Sequence, residues 1–412
     1  MSSDASLHLF EGYGIEIEYM IVDAETLNVR PISDELLFAV SGTRDSEIEL
    51  GEIAWSNELA LHVIEFKTNG PAPTLNGLGE AFQNSVERAN AALEKFDARL
   101  LPTGMHPWMD ARREFRLWPH EYNVVYETFD RIFGCAGHGW VNVQSTHINL
   151  PFANDREFGR LHAAIRLVLP LIPGLAASTP AVDDRLTGFA DTRLDYYATN
   201  SAKVPSVTGS VIPEPVFSID EYRNGLLPRI YRDLEPFDPD GILRHEWANA
   251  RGAIARFDRM ALEIRVVDVQ ECPAADIAVV SAITAAVRAQ VDEAWSAFRH
   301  QCEWDHRRLA EILKAGIRSG DSGVIDDRRF LDCFGFPEPG RARFSDLWQH
   351  IAESTSVRKD LSPAAQNALQ LILEQGCLAR RIASASSEAG LREVYGRLAD
   401  CLEHGRPFET AH

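Results

Sequence analysis

The stretch Gly12–Asp23, GYGIEIEYMIVD, opens the chain with a pattern that decides the fold. Its β-branched and aromatic residues predict a strand over Ile15–Val22. Side chains alternate along a strand, so Glu16 and Glu18 lie on one side of it. Two carboxylates on one strand face repel each other unless a cation or a shared proton sits between them. A strand of this kind has an apolar side for a core and an acidic side for chemistry.

Three other strand-like segments carry polar groups in the same way. ELALHVIEFKTNGP places Glu65 and Lys67 on one face, with Glu58 at its start. WVNVQSTHINLPF places Ser145, His147 and Asn149 on one face, and ALEIRVVDVQECP places Glu263 and Arg265 on one face and Asp268 on the other. Each has an ordinary reading as a solvated face or a hydrogen-bonded core histidine. Together, on one sheet, Glu16, Glu18, Glu65, Glu263 and His147 would make a hard, mostly oxygen cage suited to Mg2+ or Mn2+ rather than zinc. Arg265 would point into the same cavity, where a guanidinium can hold a phosphate.

The chain has 412 residues, enough for one large elaborated domain or two to three smaller ones. Its 61 acidic and 41 basic residues give a net charge of -20, which argues against nucleic acid and anionic membranes as partners. The six cysteines are dispersed with no C-x-x-C pair, so neither a zinc framework nor a secreted disulfide scaffold is expected. The first residues lack a signal-peptide pattern, and the apolar segment at 165–178 is a poor membrane span. The expectation is a cytoplasmic protein.

Strands are expected at Ile15–Val22, Leu59–Thr68, Ala98–Thr103, Val141–Leu150 and Ala261–Val269. Leu78 to Phe96 and Ile277 to Phe298 recur at helical spacing, the second run predicting about seven turns. Ser362–Pro363 opens a further helix, and Leu391, Val394, Leu398 and Cys401 mark the last one, with Gly405 as its stop. No internal repeat or long low-complexity linker interrupts the chain. The pattern is α+β: an antiparallel sheet with helices on one side and a wet site on the other, over residues 1–302, followed by a mainly helical region, 303–412.

No G-x-x-x-x-G-K-[ST] loop, H-E-x-x-H pair or G-x-S-x-G elbow occurs, and GCAGHG at 134–139 lacks dinucleotide spacing. Instead, GYGIEIEYMIVD resembles the G-x-E-x-E strand of the glutamate–cysteine ligases and related carboxylate–amine ligases. TGMHPW (103–108), STHINLPF, DYYATNSAKVPS (195–206) and LEIRVVDVQECP are similar to further segments of that family, in family order over residues 10–275. The sequence departs from the pattern at Ile17, which separates the two glutamates, and at Asn149, where many relatives have a second histidine.

The resemblance implies a glutamine synthetase-like fold, a curved antiparallel sheet forming a funnel for ATP and two or three Mg2+ or Mn2+ ions. It implies a ligase that activates a carboxylate, by default the glutamate side chain, as an acyl phosphate and joins it to an amine, by default cysteine. Carried over by position, Glu16, Glu18, Glu65, Glu263 and His147 are the expected metal ligands, and Glu18, Glu263 and Arg265 the catalytic groups. Arg265, Asn149, Arg256 and Arg259 would meet the nucleotide, and Arg193, His106 and Arg251 the substrates. A kinase with the same metal cage and a non-catalytic nucleotide-binding relative are the alternatives, and homo-oligomerisation stays open.

Overall fold

Eight strands form one antiparallel sheet in the computed structural model of the chain, which describes residues 6–355 and 357–410. They are β1 (Gly14–Asp23), β2 (Glu47–Glu49), β3 (Ile53–Asn57), β4 (Val63–Thr68), β5 (Ala98–Leu101), β6 (Ser145–Pro151), β7 (Ala253–Arg256) and β8 (Ala261–Asp268). Their order is β2-β3-β4-β1-β6-β8-β7, with β5 beside the far end of β1. The strand that opens the sequence is therefore the middle of the sheet.

Ile15, Ile17, Tyr19 and Ile21 turn one face of β1 into a core with no solvent exposure. Against this side of the fold pack α1 (Leu78–Leu93), α3 (Asp155–Val168) and α5 (Pro273–Val291), with α2 (Asn123–Phe133) and α4 (Thr192–Tyr197) placed elsewhere, around the cavity described below. The α5 helix is apolar on nearly all sides because α1, α3 and a later helix surround it. It is the one helix among the described residues long and apolar enough to cross a membrane, and here it is a core helix. Asp276 in its first turn ties it to the sheet, accepting hydrogen bonds from Thr146 on β6 (2.9 Å) and Tyr19 on β1 (3.5 Å).

After residue 302 come α6 (His306–Ser319), α7 (Phe344–Ser354), α8 (Pro363–Gln375), α9 (Leu378–Ala389) and α10 (Leu391–Glu403). The α8 helix lies on α5 within the main core, so apolar packing continues across that point of the chain. Ser362 caps α8 through the Ala365 amide (3.3 Å), and Gly405 beyond α10 adopts the left-handed conformation (φ 61°). Leu378 and Ile382 on α9 and Val394, Tyr395 and Leu398 on α10 cover Met20, Val22 and Leu101. Met20 and Val22 continue the Glu16–Glu18 side of β1, so these helices close one end of the acidic face. Buried Arg381 and Glu271 form an ion pair at 2.7 Å that also binds the backbone of Phe408.

Several boundaries differ from expectation. The strand expected from Leu59 starts at Val63, because residues 60–63 turn, with the Val63 amide on the Ala60 carbonyl (2.9 Å). The helix expected through Phe298 ends at Val291, where Glu293 takes a positive φ of 57°. The short strands β2, β3 and β7 lack an extended alternating pattern. A bulge in β8 between Ile264 and Val267 carries the largest consequence. It reverses the alternation, so Glu263 lies opposite Asn149 and Asp268 opposite Ser145, both on the acidic face. Asp268 therefore faces the side opposite to the one expected from period 2.

Candidate active site

Strand register alone assembles the acids. Glu16 lies opposite both Lys67 on β4 and His147 on β6, Glu18 lies opposite Glu65, and Glu65 lies opposite Ser56. Directly opposed residues of an antiparallel pair share a face and sit close together. The result is a cavity of about 440 Å³ whose floor holds Glu16, Glu18, Glu65, His147 and Glu263, together with Glu58.

The charges are distributed unevenly. Glu16 accepts hydrogen bonds from His147 Nδ1 (2.9 Å), Asn149 Nδ2 (3.1 Å) and Arg259 (3.2 Å). Burial alone would raise its pKa, but His147 and Arg259 hold the group well below the usual carboxylate range. Glu263 is bracketed by Arg256 (2.7 Å) and Arg265 (2.9 Å). By contrast, Glu18, Glu58 and Glu65 crowd one another with few donors. Glu18 accepts from the Ser145 amide (2.9 Å), Glu65 from Ser56 (2.7 Å), and Glu58 only from the Leu59 amide at 3.4 Å. Burial pushes Glu18 and Glu58 up to about 7, with the charge of a neighbouring glutamate adding to each, and pushes Glu65 up to about 8. Burial alone would lower His147, but its bond to Glu16 and the surrounding carboxylates raise it to about 9.

Two sets of donors have ligand atoms within 4.8 Å of one another: Glu16, Glu65 and His147, and Glu18, Glu58 and Glu65. Glu65 belongs to both. These four carboxylates and one imidazole, with Lys67 3.6 Å from Glu65 as the nearby cation on that side, fit hard divalent ions, whereas Glu263, expected among the metal ligands, belongs to neither set and is paired with arginines.

The arginines stand on the opposite side, at β7 and β8. Arg265 lines the cavity and is held charged despite burial by Glu263. Arg256 and Arg259 line it too, Arg259 being half exposed. Arg193 on α4 also reaches it. Its Nε is paired with the buried Asp268 at 2.5 Å, and its Nη2 has no protein partner. The Tyr197 hydroxyl, one turn further along α4, is likewise buried without a partner. Ser178, Thr179 and Arg193 surround the Asp268 carboxylate, so Asp268 holds Arg193 in place.

Two expected substrate contacts lie elsewhere. His106 is fully buried away from the cavity, donating from Nε2 to the Leu27 carbonyl (2.8 Å), and burial pushes it down to about 3. Arg251 is consumed by Glu214, Asn249 and the Ser206 carbonyl. Neither lines the cavity, and both serve the scaffold. Asn149 acts on the site indirectly, by holding Glu16. Glu58, given no role from sequence, joins the second donor set. Its signal was a shared parity with Ser56, legible only once β3 is known to be a strand.

The remaining wall is aromatic, formed by Tyr122, Tyr126 and Phe129 at the start and middle of α2 with Trp140 and Trp247.

A family model described as glutamate-cysteine ligase family 2 matches residues 13–396. The chain is 36% identical over 327 residues to an uncharacterized protein of Archaeoglobus fulgidus, covering 77% of this chain and 87% of the relative. It is 26% identical over 409 residues to a protein of Ectopseudomonas mendocina named "Putative glutamate--cysteine ligase 2", covering 95% and 93%. The crystal structure of glutamate–cysteine ligase from Francisella tularensis in complex with AMP matches with a TM-score of 0.58 at 13% identity, over 96% of this chain and 89% of that one. That likeness shows a shared fold.

Proposed function

The chain belongs to glutamate–cysteine ligase family 2 and has the carboxylate–amine ligase fold, and from that premise we propose that it spends ATP to join a carboxylate to an amine. The carboxylate oxygen would attack the γ-phosphorus of ATP, and the bond to ADP would break. The amine nitrogen would then attack the acyl carbon, phosphate would leave with the bonding electron pair, and the nitrogen would lose a proton. Glutamate and cysteine are the family's default pair.

The observation that carries this reading is the juxtaposition of two acidic donor sets with three arginines in one cavity. Mg2+ or Mn2+, held by Glu16, Glu65 and His147 and by Glu18, Glu58 and Glu65, would neutralise phosphate charge. Phosphoryl transfer demands mainly positioning and such neutralisation. Arg265 and Arg256, fixed by Glu263, present guanidinium groups to phosphate oxygens, and Arg259 adds a third cation at the rim. Arg193 Nη2 and the Tyr197 hydroxyl, both buried without a protein partner, are suited to receive a substrate carboxylate.

The test is ADP release with MgCl2 or MnCl2, with L-glutamate and other amino acids as acids and hydroxylamine as the amine, read together with hydroxamate formation. ADP and hydroxamate should appear together and require the carboxylate. A stable phosphorylated acid with no hydroxamate would assign a kinase instead, and ADP release indifferent to every acid offered would refute the ligase reading.

A further inference from the structure

The aromatic wall is unlike the rest of the cavity. Every charged residue lining the cavity belongs to the sheet, to Glu58 at the end of β3, to α4 or to the turn between β7 and β8. The wall from α2, Trp140 and Trp247 carries none. Phe129 packs its ring at a tilt 5.4 Å from Trp140 and 5.8 Å from Trp247, which joins three separate segments of chain into one surface. Two of the polar tips bond to the protein: Trp140 Nε1 donates to the Asn200 carbonyl (3.1 Å), and the Tyr126 hydroxyl accepts from Asn57 Nδ2 (3.1 Å). The wall therefore offers a ligand mostly ring face and aliphatic surface.

Strand order decides which ligand that is. Arg256, Arg259 and Arg265 stand on the β7–β8 side, where phosphates belong. Tyr126 is tied to Asn57 on β3, beside Glu58 and Glu65, at the other side of the same floor. A group held at the Tyr126 end of α2 is therefore across the floor from the phosphate-binding cations, while Trp247, in the turn packed against β7, closes the wall toward them.

Resting on the ligase reading, we propose that this wall is the amine subsite, and that the amine joined to the activated carboxylate bears an apolar or aromatic side chain. Phe129, Trp140, Trp247 and Tyr126 set that specificity by enclosing the side chain, while a small polar amine such as cysteine leaves the wall uncovered. Covering it with an aromatic group is worth about 10- to 100-fold in kcat/KM, the ordinary return for burying one such side chain.

The experiment uses the full-length protein with ATP, MgCl2 and an acid that yields hydroxamate with hydroxylamine. In that control the hydroxylamine nitrogen bonds to the acyl carbon, the carbon–oxygen bond to phosphate breaks, phosphate keeps the electron pair, and a proton passes to solvent. 2-Phenylethylamine and L-phenylalanine are then compared with glycine and L-cysteine. The expected result is a preference of about tenfold or more for the aromatic amines, reduced about tenfold or more in Phe129→Ala relative to hydroxylamine. Should Phe129→Ala not fold, Phe129→Leu and the wild-type amine ratios decide the question in its place. A flat profile or a preference for glycine or cysteine overturns the proposal while leaving the ligase reading intact. So does a Phe129→Ala variant that raises the KM for ATP and keeps the amine ratios, which would assign the wall to the nucleobase. Absence of hydroxamate with every acid refutes the ligase reading itself.

Discussion

Metal binding should expel protons, in a number that depends on pH in a way the floor of the cavity specifies. Without metal, Glu18 and Glu58 titrate at about 7 and Glu65 at about 8, because burial and mutual repulsion favour their neutral forms. A divalent ion needs all three ionised. At pH 5.5 to 6 each largely holds its proton, so filling the site should release about two to three protons. The apparent affinity should then rise about tenfold per pH unit for each proton displaced. Above pH 8 the carboxylates are already ionised and their contribution to the release fades. His147, at about 9, adds one more proton if it ligates, and Glu16, held ionised, adds none. Titration calorimetry with MgCl2 or MnCl2, run at each pH in two buffers of different ionisation enthalpy, counts the protons directly. Glu65→Gln should reduce the count by about one. Release of less than one proton at pH 6, or an affinity flat from pH 5.5 to 8.5, would refute the electrostatic account of the floor. The same groups link stability to pH. In the metal-free protein these carboxylates bind protons more tightly than in the unfolded chain, so stability should fall as pH rises from about 4.5 through 8, by about 1.4 kcal/mol per pH unit for each proton involved. His147 acts in the same direction, its contribution complete below 6.5 and lost as pH rises through about 9.

Asp268→Asn removes the partner that fixes Arg193 and leaves a buried cation, so it should cost about 3–5 kcal/mol in urea unfolding and raise KM for the acid substrate more than it lowers kcat. Arg381→Ala strands Glu271 in the core beneath the C-terminal segment, and a loss of similar size, about 3–5 kcal/mol, should appear as a lowered thermal midpoint. His106→Ala should destabilise by about 1–3 kcal/mol while leaving the ADP-release rate close to wild type, since its ring bonds to Leu27 and Trp108 outside the cavity; a lost rate with unchanged stability would return it to the site.

The sequence was most informative where alternation was strongest. In β1, Ile15, Ile17, Tyr19 and Ile21 announce the core side and Glu16 and Glu18 the other, and the structure keeps that division. The strands carrying Glu65, His147 and Glu263 are legible for the same reason, and the α+β class follows from them, but helices lie on both sides of the sheet, α9 and α10 covering Met20 and Val22 on the acidic face. The parity of Asp268 is misread from sequence because a bulge adds one residue without any mark in local composition. His106 and Arg251 look like contacts because their chemistry suits ligands, yet each has a better partner inside the scaffold. Glu58 and the aromatic wall escape a sequence reading because they depend on β3 and on segments distant in sequence.

Period 2 is a local property, so the sequence alone determined which side chains share a strand face, and with them the acids on offer. Which acids meet was a matter of pairing. Glu18 touches Ser145 across 127 residues and Glu16 touches His147 across 131, through antiparallel registers that no spacing encodes. Tertiary structure likewise decided that Arg193 is held by Asp268, that Glu65 is common to two donor sets, and that aromatic rings from three segments face the acids. The physical reason is that a strand's alternation needs only its own backbone, whereas a crowded carboxylate floor exists only where several strands are forced onto one sheet.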